Sequence, residues 1–169
     1  MKHMIKGKIN FPHLTQPNIY GKYGAEIVIA KNSPTLKVTK TALVESIPND
    51  CGFSASFNYD GANTNLYDGD TTSFAFNADG YVLKLTSSKP VACIDAENNE
   101  MSNALAADMI VKGAIVLAQV SYWFQDNSYG KAVRANVHAV KLLEAPSRND
   151  MDAKAAFEDF EENENECEF

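Results

Sequence analysis

The side chains in this sequence that could do chemistry are basic residues interleaved with aromatic rings. Three groups occur along the chain: Tyr20, Lys22 and Tyr23; Tyr81, Lys84 and Lys89; and Trp123, Tyr129, Lys131 and Arg134. Cationic groups bind phosphates, and flat rings stack on unpaired bases whatever the base. Each stack is worth ~1–3 kcal/mol, and each phosphate contact makes binding salt-dependent. The pattern therefore favours single-stranded nucleic acid, with the rings stacking on bases and the cations binding phosphates.

Individual rings in these groups have a second interpretation. Tyr20 and Tyr23 are flanked by glycines, and such tyrosines can also plug the end of a barrel. Trp123 falls on the polar side of an alternating segment, where exposure needs a reason, and both a stacking and a structural role stay open. The rings that we expect in the core are Phe11, Phe53, Phe57, Tyr122 and Phe124.

The sequence contains no catalytic constellation. It has no glycine-rich phosphate loop with its lysine, no Gly-x-Ser-x-Gly, no Cys-x-x-Cys and no His-x-x-x-His. His3, His13 and His138 are isolated, whereas metal ligands usually have a recognisable spacing. Asp68 and Asp70 resemble the start of a calcium loop, but the later ligands and the closing glutamate are missing. We therefore predict a protein that is not an enzyme and takes no metal or other cofactor.

The negative charge of the chain is concentrated at its carboxyl end. Residues 149–169 contain nine acidic side chains and one lysine, a net charge of −8, whereas the whole chain has a net charge of −7. Residues 1–148 therefore carry 14 basic and 13 acidic groups. A run of like charges repels itself and buries too little apolar surface to fold. We predict a folded domain over residues 1–148 and a disordered acidic tail over residues 149–169.

Aromatic residues within this tail indicate an interaction segment. The predicted contact residues are Phe157, Asp159, Phe160, Glu161, Glu162, Glu164, Glu166, Glu168 and Phe169. A tethered polyanion can compete with nucleic acid for the basic surface of its own domain, and it can dock on basic partner proteins. A tail that only keeps the protein in solution is the alternative that stays open.

Cysteine usage and hydropathy indicate the compartment. Cys51, Cys93 and Cys167 are an odd number with no close pair, which favours a reducing environment. No apolar run approaches the ~20 residues of a membrane span. The first residues also lack the apolar stretch of a signal peptide. We expect a cytoplasmic protein without a membrane partner.

Alternating apolar residues in the first third of the chain predict two strands and a helix. Residues 6–11 and 24–30 have the period of half-buried strands. One face of the first strand would carry Ile5, Gly7, Ile9 and Phe11. Ser33 and Pro34 are an N-cap and a first helical residue, which predicts one helix over residues 35–47.

The rest of the chain is predicted as loops and antiparallel strands. The Gly-, Asn-, Asp- and Ser-rich residues 51–72 indicate a long loop with a short strand inside, and such loops are often functional. Asp79-Gly80 predicts a hairpin between residues 72–76 and 81–87. The strongest β pattern predicts a final hairpin of residues 114–126 and 131–143, and a polar loop through Asn103 precedes it. One face of its second strand would carry Val133, Ala135, Val137 and Ala139.

Pairing in this final hairpin would place Trp123 near Arg134. Strands without βαβ repetition indicate a small barrel or sandwich of antiparallel strands.

Several short motifs carry a resemblance to a known family. They are Tyr20-Gly-Lys-Tyr-Gly24 before a strand, Lys89-Pro-Val-Ala-Cys-Ile-Asp95, Lys112-Gly-Ala-Ile-Val116 followed by Tyr122, Asp126-Asn and Tyr129-Gly130, and an acidic tail that ends in Phe169. With these motifs the sequence resembles the phage single-stranded DNA-binding proteins of the short-tailed-phage replication type. The resemblance covers most of the chain, although residues 51–72 match none of its motifs.

The resemblance implies a mainly β protein with the oligonucleotide-binding (OB) fold, a five-stranded antiparallel barrel with one α-helix. It implies a protein that coats and protects single-stranded DNA during phage replication, recombination and repair in the cytoplasm of the infected bacterial host. It also implies that the tail contacts the phage DNA polymerase and helicase–primase, and that the protein forms homodimers.

Two other function classes remain as alternatives. An acidic interaction protein that mimics nucleic acid would inhibit a basic partner and would bind no DNA even without its tail. A metal-dependent nuclease could use Asp60, Asp68 and Asp70, but these carboxylates lack a lysine or histidine nearby in the sequence.

Overall fold

Five strands close into a barrel in residues 2–146, the part of the chain that the structure, a computed structural model, describes. The elements in chain order are β1 (His3–His13), β2 (Tyr23–Ala30), α1 (Pro34–Glu45), β3 (Leu66–Asp68), β4 (Gly80–Ser87), β5 (Ala92–Ile94), α2 (Asn103–Met109), β6 (Ile115–Asn127) and β7 (Gly130–Glu144). The predicted tail over residues 149–169 lies outside the described residues.

The barrel is built in the order β4-β2-β1-β6-β7. Neighbours in this series are antiparallel, and a parallel contact between Thr86 of β4 and Asn136 of β7 closes the ring. The short strands β3 and β5 extend the sheet beside β4 and β7. This architecture confirms the mainly β, five-stranded barrel.

The barrel interior is filled by the alternating apolar residues of its strands. Ile5 and Ile9 of β1 and Ile27 of β2 are fully buried, because side chains two apart on a strand share one face. Leu36 and Leu43 of α1 join the same buried cluster. The Ser33 hydroxyl accepts a hydrogen bond from the Thr35 N–H at 3.2 Å, which confirms the predicted helix start.

β-Bulges overturn two of the predicted strand faces. In β1 the register shifts between Asn10 and His13, where Phe11 has φ 48°, and the Phe11 ring is 58% exposed instead of facing the core with Ile9. In β7 the register with β6 shifts at His138, so Val140 points inward where Ala139 was expected. A bulge adds one residue and reverses the facing of all residues beyond it.

The predicted hairpin between residues 72–76 and 81–87 is wrong. Residues 72–76 form no strand, and Ala75–Asn77 is a 3₁₀ turn. β4 instead pairs antiparallel with β2 along its whole length and with β3 on its other side. The short helix α2 was also not predicted, because its seven residues bury only Ala106 and give almost no periodic signal.

The two cysteines of residues 2–146 lie in different environments. Cys51 is half-buried and Cys93 is buried, and both are free thiols. Burial raises the pKa of the Cys93 thiol to about 11, so this sulfur is an unreactive core group.

Within residues 2–146 no helix has the length and apolar character to cross a membrane.

Gly7 tests the close packing of the barrel wall. A Cβ atom at Gly7 would lie 2.5 Å from the Val28 carbonyl oxygen and 2.7 Å from Ile27 Cγ2. We expect Gly7→Ala to lower the free energy of unfolding by about 1–3 kcal/mol, because the strand backbone cannot move away without loss of pairing. Thermal unfolding measures this loss. Gly61→Ala is the matched control, since its nearest neighbour is 3.7 Å away, and equal melting temperatures for the two variants would contradict the packing.

Candidate nucleic-acid interface

The outer face of β6 and β7 carries the chain's only tryptophan beside an arginine. Trp123 and Arg134 are directly paired across the two strands, as predicted, and Trp123 is 44% exposed. Arg134 Nε donates to Gln125 Oε1 at 3.0 Å, and its Nη1 donates to Asn65 Oδ1 at 3.2 Å. These two bonds fix the guanidinium and leave other N–H groups for a phosphate. The pair offers a stacking ring and a cation on one surface.

Residues 63–66 complete this face because they fill the gap between β4 and β7. They belong to the stretch 51–72, which matched none of the family's motifs. The Asn65 N–H donates to the Val133 carbonyl at 3.0 Å, and its carbonyl accepts from the Lys84 N–H at 2.7 Å. The Asn65 side chain donates to the Lys84 carbonyl and accepts from Arg134. A buried asparagine thus joins two barrel strands and orients the arginine.

Two clefts lie on the outer face of the barrel, next to the contact between Thr86 and Asn136 that closes it. The first cleft, of about 220 Å³, is lined by residues of β1, β2 and β4 together with the end of the β1–β2 connection. Its lining includes Phe11, Lys22, Tyr23, Glu26, Lys84 and Thr86. The structure therefore brings together three predicted residues, Lys22, Tyr23 and Lys84, and adds the ring of Phe11.

The second cleft, of about 440 Å³, begins at the next residue of β4 and extends along β7. Its lining includes Lys2, Ser87, Lys89, Asn136 and His138. Asn136 Oδ1 accepts hydrogen bonds from Thr86 Oγ1 at 3.3 Å and from Trp123 Nε1 at 3.4 Å. Trp123 therefore borders the second cleft, and Arg134 lies beside Trp123. We call the surface formed by the two clefts and the Trp123–Arg134 pair the outer groove.

His138 is the imidazole of the second cleft. Its Nε2 lies 2.7 Å from Ser121 Oγ. Partial burial lowers the pKa of His138, and the positive charges of Lys2 and Lys89 lower it further. The imidazole is therefore largely neutral at pH 7 and can take up a proton when an anion arrives.

Four predicted residues lie away from the outer groove or at its margins. Tyr20 and Tyr129 are 78% and 91% exposed and occupy the β1–β2 connection and the β6–β7 turn. Tyr81 is half-buried under the ammonium of Lys40 (4.0 Å to the ring centroid) and points to the opposite side of β4 from Lys84. Lys131 donates to the Cys51 carbonyl at 2.7 Å.

Among the described residues 2–146, most cations of the barrel have no carboxylate partner. In residues 2–146, Lys31 is the only basic residue with a carboxylate within 4.0 Å, with Asp68 at 2.9 Å and Asp70 at 2.7 Å. The Lys31 ammonium lowers the pKa of Asp70. The two aspartates that resembled a calcium loop thus bind a lysine, whereas the groove lysines and Arg134 remain available to phosphates.

Several residues with the chemistry of a nucleic-acid surface were missed by the sequence interpretation. Phe11 is exposed through a bulge, which no periodicity indicates. The Phe76 ring lies 4.3 Å from Lys8 Nζ and 4.9 Å from Lys112 Nζ, although the three residues are distant in sequence. The alternation of side chains on β4 could have predicted that Tyr81 and Lys84 lie on opposite faces, since these residues are three apart on the strand.

The fold and the groove together define an OB-type nucleic-acid-binding barrel. In this fold the outer face of barrel strands two and three and the two loops at its margins bind oligonucleotides. Here those strands are β2 and β4, and the loops carry Tyr20 and Tyr129. Residues 5–169 match the family model described as the single-stranded DNA-binding protein of Enterobacter phage Enc34. The chain belongs to this family, which is one of DNA-binding proteins and not of enzymes.

Solved structures with a similar fold include phage single-stranded DNA-binding proteins. The protein from bacteriophage Enc34 in complex with single-stranded DNA has 20% sequence identity and a TM-score of 0.73, with 85% of this chain and 86% of that chain covered. Another structure of the Enc34 protein has 22% identity and a TM-score of 0.70, covering 86% and 82%. Gp2.5 of bacteriophage T7 has 12% identity and a TM-score of 0.56, covering 88% and 95%. No curated protein sequence matches the chain.

Asn65 provides a test of how the outer groove is held together. We expect Asn65→Ala to lower the free energy of unfolding by about 1–3 kcal/mol, because the Lys84 carbonyl and the Arg134 guanidinium both lose a buried partner. Urea unfolding measures the difference. Asn58→Ala is the control, since Asn58 is exposed and its side chain makes no capping bond. A loss at Asn65 no larger than at Asn58 would show that the asparagine does not join the strands.

Proposed function

We propose that this protein binds single-stranded DNA in the outer groove and coats and protects it during phage DNA replication, including recombination and repair. The observation that carries the proposal is the Trp123–Arg134 pair, a half-exposed ring beside a guanidinium that has no carboxylate partner among the described residues. Family membership supports the same function.

The outer groove supplies both kinds of contact that single strands require. Lys22, Lys84, Lys89 and Arg134 are the phosphate ligands, and Trp123 and Tyr23 are the stacking rings. Tyr20 and Tyr129 extend the ring surface from the two marginal loops. Stacking needs unpaired bases, so the groove selects single strands over duplex. Tyr81 and Lys131 were proposed from sequence as further contacts, and their positions make them peripheral to this path.

We propose that residues 149–169 are the protein-interaction tail, with Phe169 as its terminal contact. Phage DNA polymerase and helicase–primase are the proposed partners, in the cytoplasm of the infected host, and a homodimer is the proposed assembly. A segment with a net charge of −8 would also compete with DNA for the groove cations.

Fluorescence anisotropy tests the function directly. The full chain and a version ending at Arg148 are titrated with a labelled single strand of about 30 nucleotides and with its duplex. We expect single-strand-selective binding that is tighter for the shorter version. Four phosphate contacts predict a slope of log K against log salt of about −3. Absence of binding by both versions would overturn the function and favour the acidic mimic of nucleic acid.

Substitution in the groove locates the binding site. We expect Trp123→Ala combined with Arg134→Ala to weaken single-strand binding about ten- to a hundredfold, because one stack and one phosphate contact are lost. Lys37→Ala, an exposed lysine on α1, is the charge control and should leave affinity nearly unchanged. Unchanged affinity in the double variant, with its melting temperature preserved, would place the site elsewhere.

The protonation of His138 predicts a pH dependence of binding. Because its pKa is lowered in the free protein and a bound phosphate favours the cation, DNA binding takes up a proton. Affinity should therefore rise as the pH falls from 7.5 to 6.0, and His138→Gln should remove most of this rise. Anisotropy titrations at constant ionic strength measure it. An equal pH response in the variant would show that His138 does not contact the DNA.

A further inference from the structure

Glu26 is an acidic residue in the middle of a surface that otherwise suits phosphates. It lines the first cleft together with Lys22 and Lys84, and it is directly paired with Lys84 across β2 and β4. The two side chains do not come within 4.0 Å, since Lys31 alone forms ion pairs in the described region. A carboxylate at this place repels the phosphate backbone and lowers general affinity for DNA.

Among the described residues, the Glu26 carboxylate is also an acceptor without a donor. No side chain or backbone N–H in residues 2–146 donates a hydrogen bond to it, although the residue is half-buried. Loss of hydration raises its pKa, and Lys84 only partly offsets this effect. A partly desolvated acceptor gains more from a new donor than an exposed one, because less water must be displaced to reach it.

The cleft around Glu26 has the size and the lining for one nucleobase. Its volume of about 220 Å³ is smaller than the ~300–1,000 Å³ of pockets for drug-sized ligands. Phe11 and Tyr23 supply rings on which a base can stack, and Lys22 and Lys84 supply cations for the flanking phosphates. A base held here would present its edge to the carboxylate.

Only one DNA base has a Watson–Crick edge that matches a carboxylate with two donors. Guanine offers N1–H and the 2-amino group side by side, and a carboxylate accepts both. The amino groups of cytosine and adenine each adjoin a ring nitrogen that is an acceptor, and the single N–H of thymine lies between two carbonyl oxygens. Those neighbouring acceptors repel a carboxylate.

Resting on the proposed single-strand binding in the outer groove, we propose that Glu26 makes the first cleft a base-reading subsite that favours guanine. The Glu26 carboxylate accepts hydrogen bonds from guanine N1–H and the 2-amino group, while Phe11 and Tyr23 stack on the base. Phosphate and stacking contacts elsewhere in the groove remain tolerant of sequence, so the preference is a modest addition to general binding.

Inosine provides the test, because it differs from guanosine only by loss of the 2-amino group. Binding by the full chain is measured for three strands of equal length: repeats of three thymines and one guanine, the same repeats with inosine, and thymine alone. Single guanines spaced in this way avoid four-stranded guanine structures. We expect the guanine strand to bind about three- to tenfold tighter than the inosine strand.

Two variants with the same change of charge complete the experiment. In Glu26→Gln the ratio of the affinity for the guanine strand to the affinity for the inosine strand should fall to near one. The variant should bind the thymine strand at least as tightly as the unaltered protein. Glu97→Gln changes an exposed glutamate outside both clefts and should keep the full ratio. Equal binding of guanine and inosine strands by the unaltered protein, or an unchanged ratio in Glu26→Gln, overturns the subsite. Absence of binding to all three strands instead overturns the proposed function.

Discussion

The seam between β4 and β7 is the constraint on which the rest of the structure depends. The two strands are paired directly only at Thr86 and Asn136, and residues 63–66 bridge them elsewhere. The polar side chains that close this seam, Asn65 and Asn136, also contact Arg134 and Trp123. Barrel closure and the binding surface therefore share the same hydrogen bonds. A groove fixed in this way requires little ordering when a ligand binds, which favours affinity.

Local sequence patterns were sufficient for the elements whose partners are close in the chain. The long alternation of β6 and β7 across a short polar turn predicted the pairing of Trp123 with Arg134 correctly. The Ser33-Pro34 start of α1 was equally local. These features depend on neighbouring residues alone, so a single sequence contains the information that they need.

Features that depend on distant partners or on backbone irregularity were not accessible in the same way. The Asp79-Gly80 turn suggested a hairpin, but β4 pairs with β2, whose residues lie between 50 (Ala30 with Gly80) and 64 (Tyr23 with Ser87) positions earlier in the chain. The bulge that exposes Phe11 and the bridging role of Asn65 have no periodic signature. Tyr81 and Lys84 were grouped because they are close in sequence. Side chains alternate between the two faces of a strand, so these two residues lie on opposite faces of β4.

The charge of the groove depends on which carboxylates lie in it and which form ion pairs elsewhere. Asp68 and Asp70 both form ion pairs with Lys31, which lines neither cleft of the outer groove. Glu26 remains as the acidic group inside the groove, held near Lys84 without a bond to it. A surface of unpaired cations binds phosphates without regard to sequence, and one desolvated carboxylate in it introduces a dependence on the base.

The most direct measurement uses the fluorescence of Trp123, because it is the only tryptophan in the chain. Single-stranded DNA is added to the full-length protein over a salt series while tryptophan emission and the anisotropy of the labelled DNA are recorded together. A base that stacks on Trp123 quenches its emission, so we expect quenching and binding to have the same midpoint and the same salt dependence. Binding with no change in tryptophan emission would contradict the assignment of the outer groove as the DNA site.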